Sequence, residues 1–299
     1  MRINRFLAVG LASLTLLVSP LGAQTSMKSK SDSVLTKLRL IAADSTIVVG
    51  HRGDSGVYPE NTAPSFQSAV DAGAEMVELD FYQTEDDVLV CHHDKTLDRT
   101  TDSVQRWKKK GLHPADFKMS ELAKLDAGSW KGELFAGVGL PTLEAALAII
   151  QKGSITMIEH KRGDPELLVK LLRKMNLVDD VLVQSFNWEW LEKVHELEPR
   201  LTLAALGGTK RKPHPTAKLM KQIAQTGATM VHWSFKRIRP EDVKMLHRKG
   251  YLVCVYTVNS VGSYQKAIAM GIDAITTNHP GLLVKHLAST KVGGASKRD

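Results

Sequence analysis

The 299-residue sequence predicts an α/β protein folded as a closed (β/α)8 barrel, on three observations. Short apolar, β-branched runs recur eight times along the chain, and most are followed by a segment with helical periodicity. Repeated βα units imply parallel strands joined by right-handed crossovers, and eight of them suggest a TIM barrel rather than an open sheet. A glycine-rich dinucleotide fingerprint after the first run is absent, which counts against a Rossmann domain.

The elements follow in order. Met1 to Arg5 is basic, Phe6 to Val18 is apolar apart from Ser13 and Thr15, and small residues lead to Ala23. This is the layout of a secretory signal peptide over residues 1–23, with an apolar run too short to cross ~30 Å of hydrocarbon. No cysteine stands near the cleavage point, so a lipid-anchored form is disfavoured and the mature chain is expected to be periplasmic or secreted. Strands are expected at Thr46–Gly50, Glu75–Phe81, Ser154–Lys161, Val181–Phe186, Leu201–Leu206, Thr229–Phe235, Leu252–Val258 and Asp273–Thr277. Helical patterns occupy Pro165–Met175, Trp188–Leu197, Thr216–Gln225, Arg239–Arg248 and Gly262–Met270. Gly227, Gly250 and Gly271 stand between a helix and the next strand, where a left-handed cap is wanted. The barrel is therefore placed over residues 46–288. The rhythm breaks at about 96–140, a stretch rich in Lys, Gly and Asp that reads as an insertion long enough to form a lid or small subdomain. Residues 289–299 read as a flexible basic tail.

Composition excludes several classes. With 43% hydrophobic and 24% charged residues the chain is neither disordered nor collagen-like. The excess of 40 Lys plus Arg over 32 Asp plus Glu is spread along the chain, and no nucleic-acid recognition element accompanies it. Lys108-Lys109-Lys110 and Lys210-Arg211-Lys212 read as solvated loops, or as a basic rim making weak contact with an anionic membrane surface. Two cysteines, Cys91 and Cys254, cannot build a disulfide scaffold or a cysteine-rich zinc site, and both are expected to be free and buried.

Chemistry gathers at the carboxyl ends of the strands, where barrel enzymes place their catalytic groups. The first strand ends in Gly50-His51-Arg52-Gly53, followed by Pro59-Glu60-Asn61-Thr62; the second carries Glu78-Leu79-Asp80; a hairpin-like run, Val88 to Cys91, delivers His92-His93-Asp94; the third barrel strand ends in Glu159-His160-Lys161. Strand alternation puts Glu78 and Asp80 on one face and Leu79 on the other, and pairs Glu159 with Lys161 opposite His160. Three buried carboxylates cannot all stay ionised without a cation, and all-oxygen ligation favours Ca²⁺ or Mg²⁺ over zinc. Charge pairing among these groups at the barrel rim is the alternative reading.

These residues, together with Thr96-Leu97-Asp98-Arg99-Thr100-Thr101, Leu140 to Leu147, Gln184-Ser185-Phe186, Tyr256 to Asn259 and Gly271 to Asn278, stand in one order over 46–283. In that series the chain resembles the glycerophosphodiester phosphodiesterase family, its bacterial exported members in particular. The resemblance implies a TIM barrel with the insertion, and one divalent cation held by Glu78, Asp80 and Glu159. His51 and His93 match the family's general acid/base pair, and Arg52 and Lys161 the groups that hold phosphate. Glu60 belongs to the signature and is expected to orient His51 or Arg52. Tyr256 stands where many relatives carry Trp, near the glycerol end, and Asn278 where Asp is frequent. His93 rather than His92 is taken as catalytic because Asp94 follows it. His160 is expected to point outward. His113, His195, His214, His232, His247, His279 and His286 lack ligand spacing and read as surface or packing residues; for His232 and His279, which lie at strand ends, contact with substrate is the alternative reading.

The implied activity is metal-dependent hydrolysis of glycerophosphodiesters to an alcohol and glycerol 3-phosphate, with water or a neighbouring glycerol hydroxyl as nucleophile. A lysophospholipase D acting on lysophospholipids and a non-catalytic binding protein on the same barrel are the alternatives. A metal-free, two-histidine barrel cleaving inositol lipids fits the three carboxylates poorly.

Overall fold

The computed structural model describes residues 33–295. Eight parallel strands close on themselves in chain order: β1 (Ile47–Gly50), β2 (Met76–Gln83), β4 (Ile155–Arg162), β5 (Val181–Ser185), β6 (Thr202–Gly207), β7 (Met230–Ser234), β8 (Leu252–Tyr256) and β9 (Ala274–Thr277). β9 pairs with β1, and β1 with β2, which completes the ring. A short β3 (Leu89–Cys91) folds back antiparallel onto β2, with Phe81 opposite Cys91. All eight strands the spacing predicts are present, and so is the hairpin.

Helices α5 (Leu143–Ile150), α6 (Pro165–Lys174), α7 (Trp188–Leu197) and α8 (Ala217–Gln225) begin at Thr142, Asp164, Asn187 and Thr216. Each of those side chains accepts a hydrogen bond from a backbone N–H of the first turn. α2 (Ala63–Asp71), α9 (Pro240–Arg248), α10 (Val261–Ala269) and α11 (Pro280–Ala295) complete the outer ring. Gly227, Gly250 and Gly271 have φ of 68°, 83° and 77°, the left-handed caps expected of them.

Strand alternation divides the core in two. Val77, Leu79, Ile158, Val183 and Val231 face outward onto the helices. Met76, Met157, Leu182, Ala204 and Met230 face inward and fill the lower barrel. That inner cluster also takes in Val34 and Leu38 of α1 (Val34–Asp44), so α1 plugs the amino-terminal end of the barrel. The folded unit thus starts before residue 46, a correction to the expected boundary. At the other end α11 continues to Ala295, so the segment expected to be a flexible tail from residue 289 is helical over most of its length. The expected signal peptide lies outside the described residues. Among the described residues, no helix is long and apolar enough to cross a membrane.

The insertion forms α3 (Ser103–Trp107) and α4 (Met119–Leu122) around a small core of Leu97, Leu122, Leu125 and Leu140, with Trp107 and Phe117 stacked at 4.6 Å. It packs on Tyr82 and Val90, beside the mouth of the barrel.

Candidate active site

The turn after β1 places two of the key groups. The His51 N–H donates to the Thr277 carbonyl across β9 at 2.8 Å, so the chain leaves β1 in register with its neighbour. Arg52 then takes a left-handed φ of 56°, and its N–H donates to Glu78 Oε2 at 2.8 Å. Gly53, at φ 85°, allows this turn to close on α2: a Cβ there would lie 2.5 Å from the backbone of Ser65.

Glu78 and Asp80 of β2 and Glu159 of β4 point into the barrel, as alternation requires, and their oxygens lie within 4.8 Å of one another in a buried cluster. Asp80 is held by Asn61, whose Nδ2 donates to Oδ2 at 2.8 Å and whose Oδ1 accepts the Asp80 N–H at 3.1 Å. Arg52 Nε lies 3.4 Å from Asp80 Oδ2, and Lys161 Nζ lies 3.0 Å from Oδ1 and also pairs with Glu159. Burial would raise the Asp80 pKa, but Lys161 and Arg52 outweigh it and keep the carboxylate ionised. Burial and the charge of Asp80 push Glu159 up to about 7, and burial with Asp80 and Glu159 raises Glu78.

The cluster therefore carries more negative charge than its two cations settle. Asp80 Oδ1 is buried, and among the described residues its near neighbour is the Lys161 ammonium at 3.0 Å. Three convergent carboxylates, two of them driven toward protonation, fit a hard divalent cation, which would restore their ionised forms. Among the described residues, a second group at ligand distance, Glu60, His93 and Asp94, is already bridged by an arginine.

The two histidines differ in their partners. His51 Nδ1 donates to Asn278 Oδ1 at 2.6 Å, leaving Nε2 as the basic nitrogen. Burial and the adjacent Arg52 lower its pKa to about 4, so the ring is neutral near pH 7. His93 is about one-third exposed, and its Nδ1 donates to Asp94 Oδ1 at 2.7 Å. Burial lowers its pKa as well, while Asp80 and Asp94 favour its proton. A chain of alternating charges joins the two halves of the site. Arg52 Nη1 donates to Glu60 at 2.7 Å, Arg99 donates to Glu60 at 2.7 and 2.9 Å, and Arg99 donates to Asp94 at 2.6 and 3.0 Å. Arg99 belongs to the insertion, which is thereby tied to both Arg52 and His93. Its place in the Asp98-Arg99-Thr100 run offered no sign of this role.

The neighbouring histidines are accounted for. His92 is buried, and its Nε2 donates to the Thr96 carbonyl at 3.0 Å. His160 points outward as expected, stacked on Trp190 at 3.9 Å and hydrogen-bonded to Ser185. His232 lies inside the barrel, 2% exposed, with its ring perpendicular to that of Tyr256 at 5.0 Å. Tyr256 stands at the mouth beside Phe186, and its hydroxyl donates to the Gly207 carbonyl at 2.5 Å. His279 sits on the rim against Gly56. Cys91 and Cys254 are buried and free.

Comparison with known proteins agrees with this geometry. Residues 51–282 match the glycerophosphoryl diester phosphodiesterase family. A Bacillus subtilis (strain 168) glycerophosphodiester phosphodiesterase is 34% identical over 304 residues, spanning 95% of this chain and 98% of that one. One from Caldanaerobacter subterraneus is 34% identical over 248 residues, spanning 80% and 96%. Among solved structures, an Oleispira antarctica phosphodiesterase in complex with the product sn-glycerol-3-phosphate superposes with a TM-score of 0.74 at 26% identity, covering 83% of this chain and 99% of that one. The Agrobacterium tumefaciens C58 glycerophosphodiester phosphodiesterase gives 0.68 at 27% identity, covering 80% and 99%.

Proposed function

The chain belongs to the glycerophosphoryl diester phosphodiesterase family and is a hydrolase of glycerophosphodiesters, and we propose that it cuts them by acid/base catalysis between His51 and His93, releasing an alcohol and glycerol 3-phosphate. The observation that carries this reading is the meeting of two histidines, one held by Asn278 and the other by Asp94, with Arg52, Lys161 and three carboxylates at one barrel mouth.

Glu78, Asp80 and Glu159 would hold one divalent cation, Ca²⁺ or Mg²⁺. Bound there, it supplies charge stabilisation to the phosphoryl oxygens. Arg52 and Lys161 bind the phosphodiester anion and stabilise the charge it gains in the transition state, where fixed cations count most. Glu60, between Arg52 and Arg99, fixes the Arg52 guanidinium in place. His51 Nε2 takes the proton of the attacking hydroxyl, and His93 Nε2 gives a proton to the departing alkoxide. Asp94 orients the His93 ring and stabilises its protonated form, which is the form a general acid needs. Water or the neighbouring glycerol hydroxyl supplies the attacking oxygen; the second route passes through a cyclic phosphate that water then opens. Deacylated phospholipids such as glycerophosphocholine and glycerophosphoethanolamine are the substrates this chemistry suits, and the leader at residues 1–23 would place the enzyme outside the cytoplasm.

Product identification tests the reading. Glycerophosphocholine should yield choline and glycerol 3-phosphate; glycerol and phosphocholine as products would place the cut on the other ester bond and contradict it.

A further inference from the structure

Among the described residues, six of the large apolar side chains left open to solvent share one end of the barrel: Val57, Trp130, Leu134, Phe186, Val261 and Leu282. Val57, Phe186, Val261 and Leu282 follow β1, β5, β8 and β9, at the carboxyl ends of the parallel strands, and the insertion carries Trp130 and Leu134 beside the same mouth. Leu40, on α1 at the amino-terminal end, is the exception. Exposed apolar residues standing singly are ordinary, whereas contiguous ones mark a contact surface.

Three of the six belong to one fixed patch. Lys131 Nζ donates to the Ser55 and Gly56 carbonyls at 2.8 and 3.2 Å, and the Phe135 and Tyr58 rings meet at 5.5 Å. The loop carrying Trp130 and Leu134 is thereby fastened to the turn carrying Val57. That loop is tightly built. Asp126 accepts from the N–H groups of Gly128, Ser129 and Gly137 at 2.7, 2.8 and 2.8 Å, and the Ala127 N–H donates to the Val138 carbonyl at 2.7 Å. Gly128 passes against the Phe135 carbonyl, where a Cβ would not fit. Leu134 is nonetheless 96% exposed. An apolar side chain held out on a fixed loop is a point that enters another phase, not a groove that receives an acyl chain.

Charge indicates which phase. Both basic runs lie at this end, Lys108-Lys109-Lys110 in the insertion and Lys210-Arg211-Lys212 in the loop after β6, and all but Lys212 are exposed. Acids of the insertion are occupied by backbone N–H groups: Asp98 accepts from Gly111, Asp102 from Asp126 and Glu121 from Lys118. Glu133, beside Leu134, is an exposed acid of the loop, set against Arg99 and Lys131, which lie 5.7 and 5.8 Å from the Trp130 ring. A tryptophan and aliphatic side chains among lysines and arginines suit the headgroup boundary of an anionic bilayer. Independently of the cleavage proposed above, we propose that this rim docks the barrel mouth-first on an anionic phospholipid bilayer. Val57, Trp130 and Leu134 enter the headgroup region, and the two basic runs meet lipid phosphates.

A polarity-sensitive fluorophore attached to the full chain through Leu134→Cys tests this, because Cys91 and Cys254 are buried and do not compete for the label. With vesicles of phosphatidylglycerol and phosphatidylcholine, its emission should shift to the blue. The same label attached through Leu40→Cys, 68% exposed at the opposite end, should not shift. Adding Lys108→Ala, Lys109→Ala and Lys110→Ala to the Leu134-labelled chain should raise the lipid concentration needed for half the shift about tenfold or more, and so should vesicles of phosphatidylcholine alone. No shift at position 134, or equal shifts at both positions, would overturn the proposal. So would a lipid requirement indifferent to the lysines and to the anionic lipid. A blue shift that follows protein concentration without vesicles would assign the patch to a second copy of this chain and overturn the bilayer reading.

Discussion

Asn278→Asp tests the roles of the two histidines through a single atom. The substitution places a full negative charge where Asn278 Oδ1 now accepts from His51 Nδ1 at 2.6 Å. At a charge separation of about 3 Å and an effective dielectric near 20, attraction to the imidazolium is about 5 kcal/mol, equivalent to about 4 pKa units. The cost of burying the new carboxylate offsets roughly half of that. The His51 pKa should therefore rise by about 2 units, from about 4 toward 6. As a general base, His51 must be neutral to act. The acid limb of the kcat/KM profile for glycerophosphocholine, which reports the free enzyme, should move up by that amount, with activity at high pH retained. An unmoved acid limb would show that His51 does not control it. Movement of the alkaline limb instead would make His51 the acid and reverse the assignment with His93.

Other perturbations separate the remaining roles. Glu159→Gln removes one of the three clustered carboxylates and should weaken the divalent cation by about tenfold or more in a titration of activity against Ca²⁺ or Mg²⁺; unchanged cation dependence would remove Glu159 from the ligand set. His93→Ala should abolish turnover with the circular dichroism spectrum intact, whereas His92→Ala, which loses the bond to the Thr96 carbonyl, should lower thermal stability and keep turnover; the opposite pattern would exchange the two residues. His160 affects stability by itself. Its pKa falls from 6.5 to about 4 on burial against Trp190, so the unfolded chain takes up its proton first on acidification. The stability it allows is full above pH 6.5 and falls by about 2–3 kcal/mol between pH 6.5 and 4. In urea unfolding at pH 7 and pH 4.5, His160→Leu should lose less stability between the two values than the wild type; equal losses would refute the burial argument.

The barrel was legible because each strand is built by one alternation rule. Met76, Glu78 and Asp80 share the inner face while Val77 and Leu79 share the outer one. The same rule turned His160 away from the site. α1 was not read from the sequence: Ser33 followed by Val34, Leu38 and Ile41 is a helical spacing, but what that face packs on is the bottom of a barrel that eight distant segments build. The site was legible in its charges but not in its supports. Arg99 sits 39 residues from Glu60 and reaches it across the insertion. Asn61 braces Asp80 from a left-handed turn at φ 56°. Gln184 and His232 come from strands two positions apart in the ring. Such pairs meet only after closure, so spacing along the chain carries no trace of them.

The central claim is that the three carboxylates at the barrel mouth hold a cation on which phosphodiester cleavage depends. Release of glycerol 3-phosphate from glycerophosphocholine by the purified chain, measured with Ca²⁺, with Mg²⁺ and with chelator, tests it directly. The account predicts release with at least one cation and its loss with chelator, restored on adding the cation back. Undiminished release in chelator would contradict it, leaving Arg52, Lys161 and the two histidines to do the chemistry without a metal.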